Sequence, residues 1–365
     1  MITDGWLARA GELIAIRSTA DRPDELRRAV EFVVEEVGDG FVVRRFESGG
    51  KPSALLHLAG IDGPFRVVLN AHVDVVPGED RQFTAVREGD RLYGRGTQDM
   101  KTAALVLAGV FRDVAASLPY PVGLQIVADE EIGGMDGTAH QIAEGVRAGF
   151  VLIGEQSGLR VVHESKGLAH VRVTATGRAG HAAYPWLGRN ALVSLIAAVD
   201  RVLRRYPVPA TEEWTTTVNL ARIETPDRAI NQVPASATAW LDIRFPPEDD
   251  SFAGRRPAEI AAHLGDLAGH GIHVHVDALG APHRADPAGA EVLALQAAAR
   301  EAGFTGELLR KHGAADGRHY SAYGMPAVIF GPGGDGQHGP EEYVDLTTLA
   351  PYRDAVTAFL RSVRP

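Results

Sequence analysis

At 365 residues the chain is long for one hydrophobic core, and usual domain sizes predict two domains. With 45% apolar and 23% charged residues it has the balance of an ordinary globular protein, and the absence of cysteine excludes disulfides, thiolate-held zinc and a cysteine nucleophile. A formal charge of −10 argues against binding a phosphate backbone. The N-terminus lacks the pattern of a signal peptide, and no apolar run is long enough to span a membrane, so the sequence predicts a cytoplasmic protein without nucleic-acid or membrane partners.

Apolar residues at helical spacing predict helices over residues 4–17 and 23–37, followed by strands at 41–46, 54–58 and 65–70. The last strand runs into AHVDVVP. Residues two apart on a strand face the same way, so His72 and Asp74 leave it together, as a metal-binding histidine and its supporting acid are usually built. A glycine-punctuated loop, GRGTQDMK, carries Asp99 into a buried helix over 102–118. A strand at 122–128 then ends in Asp129-Glu130-Glu131 and the turn Gly133-Gly134, and a short strand at 150–154 leads to Glu155. Such alternation implies an α/β domain with a mostly parallel sheet, whose ligands gather at the carboxyl ends of its strands.

From about Gly167 the texture changes to strand, helix, two strands, helix, strand, the order of a small α+β sandwich. Helix and strand alternation resumes after Gly280. The expected organisation is a catalytic domain split into 1–166 and 280–365 around an inserted lid or dimerisation domain at 167–279.

Adjacent carboxylates at a strand end do not face the same way, so of Glu130 and Glu131 one can bind metal while the other handles protons. Asp99 is short enough to bridge two cations, and His338 lies in the turn-rich GPGGDGQHGPEEY. Two histidines with three carboxylates suit zinc or another borderline divalent ion. Two ions about 3.5–4 Å apart would together polarise a carbonyl and acidify a water. The GPGGDG run fits a dinucleotide pattern, but no helix opens after it. His273 and His275 read as a solvated strand face, Lys101 as part of a helix entrance, and His163, His170, His312 and His319 as surface or supporting residues.

AHVDVVP, GRGTQDMK, ADEEIGG, LIGEQ and GPGGDGQHGPEEY, in this order over most of the chain, resemble the dinuclear zinc amidohydrolases and exopeptidases. That family includes acetylornithine deacetylase, succinyl-diaminopimelate desuccinylase, aminoacylase, glutamate carboxypeptidase and carnosine dipeptidase. The resemblance implies two zinc ions per chain, with cobalt or manganese as substitutes. His72 and Glu155 would hold one ion, Glu131 and His338 the other, and Asp99 would bridge them, followed by a cis Asp99-Met100 peptide. Asp74 would orient His72, and Glu130 would take a proton from the attacking water and return it to the leaving amine.

In GRAGHAAYP, His181 matches the histidine that reaches the developing oxyanion, commonly from the other subunit of a homodimer. Asn231 in AINQVPA and Arg244 in LDIRFP match positions that clasp a substrate carboxylate, for which a guanidinium fork is suited. Gly333 and Gly334 are candidates to present backbone N–H groups to the same substrate, and GAADGRHY is similar to the desuccinylase branch. The expected substrate is an N-acyl amino acid, with a dipeptidase or carboxypeptidase as the alternative on the same scaffold. A catalytically silent binding protein is disfavoured by the intact ligand set together with Glu130 and His181.

Overall fold

The computed structural model describes residues 3–61 and 63–365, which form two compact units. One runs to Glu164, resumes over Arg284–Arg310 and closes with Ala315–Pro365; the other is Ser165–His283 with the short return Lys311–Ala314.

The first unit is built on a sheet whose spatial order runs Phe41–Ser48, Lys51–Leu58, Val122–Val127, Phe65–His72, Ala148–Ile153, Ala327–Ile329 and Val161–Ser165. The four strands from Val122–Val127 to Ala327–Ile329 are mutually parallel, and the flanking ones are antiparallel. Phe65–His72 is buried at every position but Arg66, which is why it reads as a continuous apolar run rather than an alternating one. Helix Lys101–Val114 is buried along nearly its whole length and shares a core with Leu69, Leu124, Leu152 and Phe359.

Helix Leu346–Ser362 has no counterpart in the sequence reading, although its signals are regular. Asp345 caps it by accepting the Thr347 N–H at 2.9 Å, and Leu349, Tyr352, Val356, Phe359 and Leu360 form its buried stripe. Each large side chain so buried contributes about 1.5–3 kcal/mol. A small antiparallel sheet of Gly334–Asp335, Tyr343–Asp345, Arg91–Tyr93 and Val86–Glu88 was also unforeseen. It holds both ends of the loop that carries His338.

In the second unit, strands Thr217–Glu224, Ser236–Phe245, Gly167–Thr176 and Ile272–Gly280 form an antiparallel sheet in that spatial order. Ser236–Phe245 alternates strictly between buried and half-buried, so one face carries Ala237, Ala239, Leu241, Ile243 and Phe245 into a core with helices Ala191–Arg205 and Pro257–Ala268. Asn190 caps the first helix, its side chain accepting the N–H groups of Leu192 and Val193. His273 and His275 fall on exposed positions of Ile272–Gly280, as expected for a solvated face. Among the described residues no helix is long and apolar enough to cross a membrane.

Candidate metal centre

The carboxyl ends of the four parallel strands converge on one group of ionisable side chains. Phe65–His72 ends in His72; Val122–Val127 leads through Ala128-Asp129 to the 3-10 turn Glu130–Ile132; Ala148–Ile153 leads to Glu155; and Ala327–Ile329 leads toward the loop bearing His338. Asp99 enters from the side, on the tight loop before helix Lys101–Val114. The Asp99-Met100 peptide is cis, as the resemblance implied.

Two clusters result, each with ligand atoms within 4.8 Å of one another: His72, Glu130 and Glu155 in one, and Asp99, Glu131 and His338 in the other. Asp99 joins them. One of its carboxylate oxygens lies 2.9 Å from His72 Nε2 and the other 3.3 Å from His338 Nε2. Glu131 completes the second cluster with an oxygen 3.0 Å from His338 Nε2. Glu130 and Glu131, neighbours in sequence, therefore send their carboxylates to different clusters. His338 itself sits in left-handed backbone at φ 61°, a conformation that costs a non-glycine residue about 1–3 kcal/mol and collects at functional sites.

The electrostatics ask for positive charge. Burial and the nearby Glu155 push the Glu130 carboxyl well above its ordinary range, and burial likewise raises Glu131. Asp99 and Glu131 lift His338 to about 10, while burial opposes a charge on His72 but is outweighed by Asp74 and Asp99. Four carboxylates and two imidazoles, without a thiol, make an acid-rich donor set of nitrogen and oxygen of the kind that binds divalent cations. The residues present therefore fit a pair of such ions.

Asp74 does more than the sequence reading assigned to it. Its carboxylate stands 3.4 Å from His72 Nδ1, whereas its own backbone carbonyl is nearer, at 3.1 Å. Its two oxygens instead accept the N–H groups of Glu130, at 3.2 Å, and Glu131, at 3.0 Å. A buried Arg95–Glu342 ion pair gives comparable support to the other cluster. Glu342 accepts the N–H groups of Gln98 and Asp99 at 3.1 and 3.2 Å, and Arg95 donates to the His338 carbonyl at 3.2 Å. Gln337 donates to Asp99. Arg95 and Glu342 lie inside GRGTQDMK and GPGGDGQHGPEEY, and an opposite-charge pair shared by two motifs was the available signal.

Lys101, assigned to a helix entrance, is buried there and donates to the carbonyls of Leu13 and Ile16 at 3.1 and 2.6 Å. Gly333, a candidate backbone donor to substrate, has its N–H donating to Thr348 Oγ1 at 2.9 Å. Gly334 pairs opposite Val344 in the small sheet, where a Cβ would meet the Tyr343 carbonyl at 2.2 Å, so close backbone approach accounts for this glycine.

The remaining candidates lie in the second unit. His181 and Asn231 are neighbours: Gly180–His181 pairs with Gln232–Val233, and the Ala182 N–H donates to the Asn231 carbonyl at 2.9 Å. The His181 ring is exposed, with Nδ1 accepting the Ala183 N–H at 3.1 Å. Arg244 already holds a carboxylate, that of Asp242, through Nε at 2.7 Å and Nη2 at 3.0 Å.

Residues 68–362 match the model for peptidase family M20/M25/M40. The succinyl-diaminopimelate desuccinylase of Acidiphilium cryptum is 30% identical over 358 residues, covering 93% of this chain and 93% of that protein. Among solved structures, the aminopeptidase PepT of Bacillus cereus superposes with a TM-score of 0.79 at 19% identity, covering 98% of this chain and 97% of that one. The M20 family metallo-carboxypeptidase Sso-CP2 of Sulfolobus solfataricus gives 0.78 at 19% identity, covering 98% and 99%. At such identities these structures speak to the fold alone.

Proposed function

We propose, from the premise that the chain belongs to peptidase family M20/M25/M40 and is a metal-dependent hydrolase of amide bonds, that it removes the acyl group from an N-acyl amino acid. The favoured acyl group is succinyl, because the desuccinylase of Acidiphilium cryptum is similar over nearly the full length of both chains. Two zinc ions would be held by His72 and Glu155 on one side and Glu131 and His338 on the other, with Asp99 between them; cobalt or manganese would substitute. When bound, they would polarise the scissile carbonyl and lower the pKa of a water.

The observation that carries the reading is the divergence of Glu130 from Glu131, which leaves one carboxylate beside the His72–Glu155 cluster for proton transfer. Glu130 takes the proton of the attacking water and returns it to the departing amine nitrogen. His181 donates a hydrogen bond to the developing oxyanion. Asn231 and Arg244 hold the carboxylate of the amino acid. For Arg244 this means exchanging Asp242 for substrate, an inexpensive step because a half-exposed ion pair is worth only about 0–1 kcal/mol. The working form is a cytoplasmic homodimer joined through the second unit.

The test is amine release by metal-loaded protein from a panel of N-succinyl and N-acetyl amino acids and of dipeptides. Cleavage of the succinyl compounds is expected. Turnover of dipeptides alone would overturn the deacylase reading in favour of a dipeptidase.

A further inference from the structure

The GAADGRHY segment contributes two donors to one acceptor behind the candidate centre. Arg318 Nη2 donates to the Gly133 carbonyl at 2.7 Å, and His319 Nε2 donates to the same oxygen at 3.0 Å. Gly133 closes the 3-10 turn Glu130–Ile132, its N–H donating to the Glu130 carbonyl at 2.9 Å. A turn this short cannot fix its own direction, and it is gripped from both ends. Asp74 accepts the N–H groups at its start, and Arg318 and His319 engage the carbonyl at its finish.

The grip is built to be rigid. Arg318 is buried, although an arginine is among the residues least often found inside. Asp316, also buried, accepts the Thr138 hydroxyl and lies 3.7 Å from His319 Nε2. Gly134 lets the segment approach: a Cβ there would meet Asp316 Oδ1 at 2.1 Å and His319 Nε2 at 2.9 Å. A two-donor clamp on a single carbonyl fixes direction as well as distance, which matters because misplacement of a reacting group by about 1 Å can cost roughly 100-fold in rate.

We infer that Arg318 and His319 are positioning residues of the hydrolytic reaction, setting through the Gly133 carbonyl the direction in which Glu130 presents its carboxylate. The inference rests on the reading of Glu130 as the base.

The test compares Arg318→Met, Arg318→Lys, His319→Leu and His319→Gln with Glu130→Gln. All are full-length and metal-loaded, and are assayed on the best-cleaved compound of the acyl-amino-acid and dipeptide panel, with metal content measured for each. Arg318→Met and His319→Leu are expected to lower kcat by about 10–100-fold, with KM within about twofold and both ions retained. Arg318→Lys and His319→Gln, which keep an N–H near the carbonyl, are expected to recover most of kcat. A merely structural role would lower metal content and stability without splitting kcat from KM. Parent-like kcat in Arg318→Met and His319→Leu, beside an inactive Glu130→Gln, overturns this inference alone; parent-like Glu130→Gln overturns the reading beneath it as well. Should Arg318→Met fail to fold, the two His319 variants decide in the same way.

Discussion

The Asp74 carboxylate accepts the backbone N–H of Glu131 at 3.0 Å while its other oxygen takes that of Glu130 at 3.2 Å. One acid beside His72 thus fixes the start of the turn on which the Glu130 and Glu131 carboxylates diverge. Asp74→Asn keeps one acceptor oxygen and sets an NH2 against the second N–H, a donor facing a donor. Activity or metal affinity is expected to fall by about 10–100-fold, read by steady-state kinetics and metal analysis. Parent values in both would confine Asp74 to a packing role.

Removal of metal separates the two carboxylates of that turn. The purified protein should hold two divalent ions per chain and lose activity on chelation; activity that survives exhaustive chelation would end the metal reading. Glu130→Gln preserves shape and removes the proposed base, so it should keep the ions and lose at least about 100-fold in turnover. Glu131→Gln should instead lose metal.

Much of this centre was legible because its chemistry is concentrated in short motifs at strand ends. His72, Asp99, Glu130, Glu131, Glu155 and His338 all lie in such motifs, and the fold brings them together. The supports were harder to read. Arg95 and Glu342 pair across 247 positions, and His319 reads as a surface or supporting residue because nothing local says that it meets Gly133, 186 positions away. Gly333 shows the same limit from the other side: a glycine in a turn advertises a free N–H, and only tertiary packing shows Thr348 accepting it. The helix at Leu346–Ser362 has regular apolar spacing and carries Pro351 within it, a residue that tertiary packing tolerates here although local propensity opposes it.

Gly134 offers a check on the packing alone. Its φ is +65°, and a Cβ would stand 2.1 Å from Asp316 Oδ1, a buried side chain with little room to withdraw. Gly134→Ala should therefore destabilise the first unit by about 1–3 kcal/mol, combining overpacking with left-handed backbone strain. Urea unfolding would read this as a lower midpoint at an unchanged slope. An unshifted midpoint would show that the Asp316 segment yields at low cost.

His181 poses the question of which chain completes which centre. It sits exposed on the Gly180–His181 strand, outside the unit that holds the candidate metal ligands, yet its proposed partner is an oxyanion formed at those residues. Loss of one oxyanion donor costs about 2.7–4 kcal/mol, so His181→Ala should be nearly inactive by itself, as should Glu130→Gln. Mixing the two variants decides between the arrangements. If His181 serves the neighbouring subunit, a mixed dimer has one centre lacking both groups and one retaining both. With free exchange about half of all dimers are mixed, so activity should return toward about a quarter of the parent value. If His181 serves its own chain, every centre in the mixture still lacks one group, and activity stays at the level of the separate variants even when subunit exchange is verified.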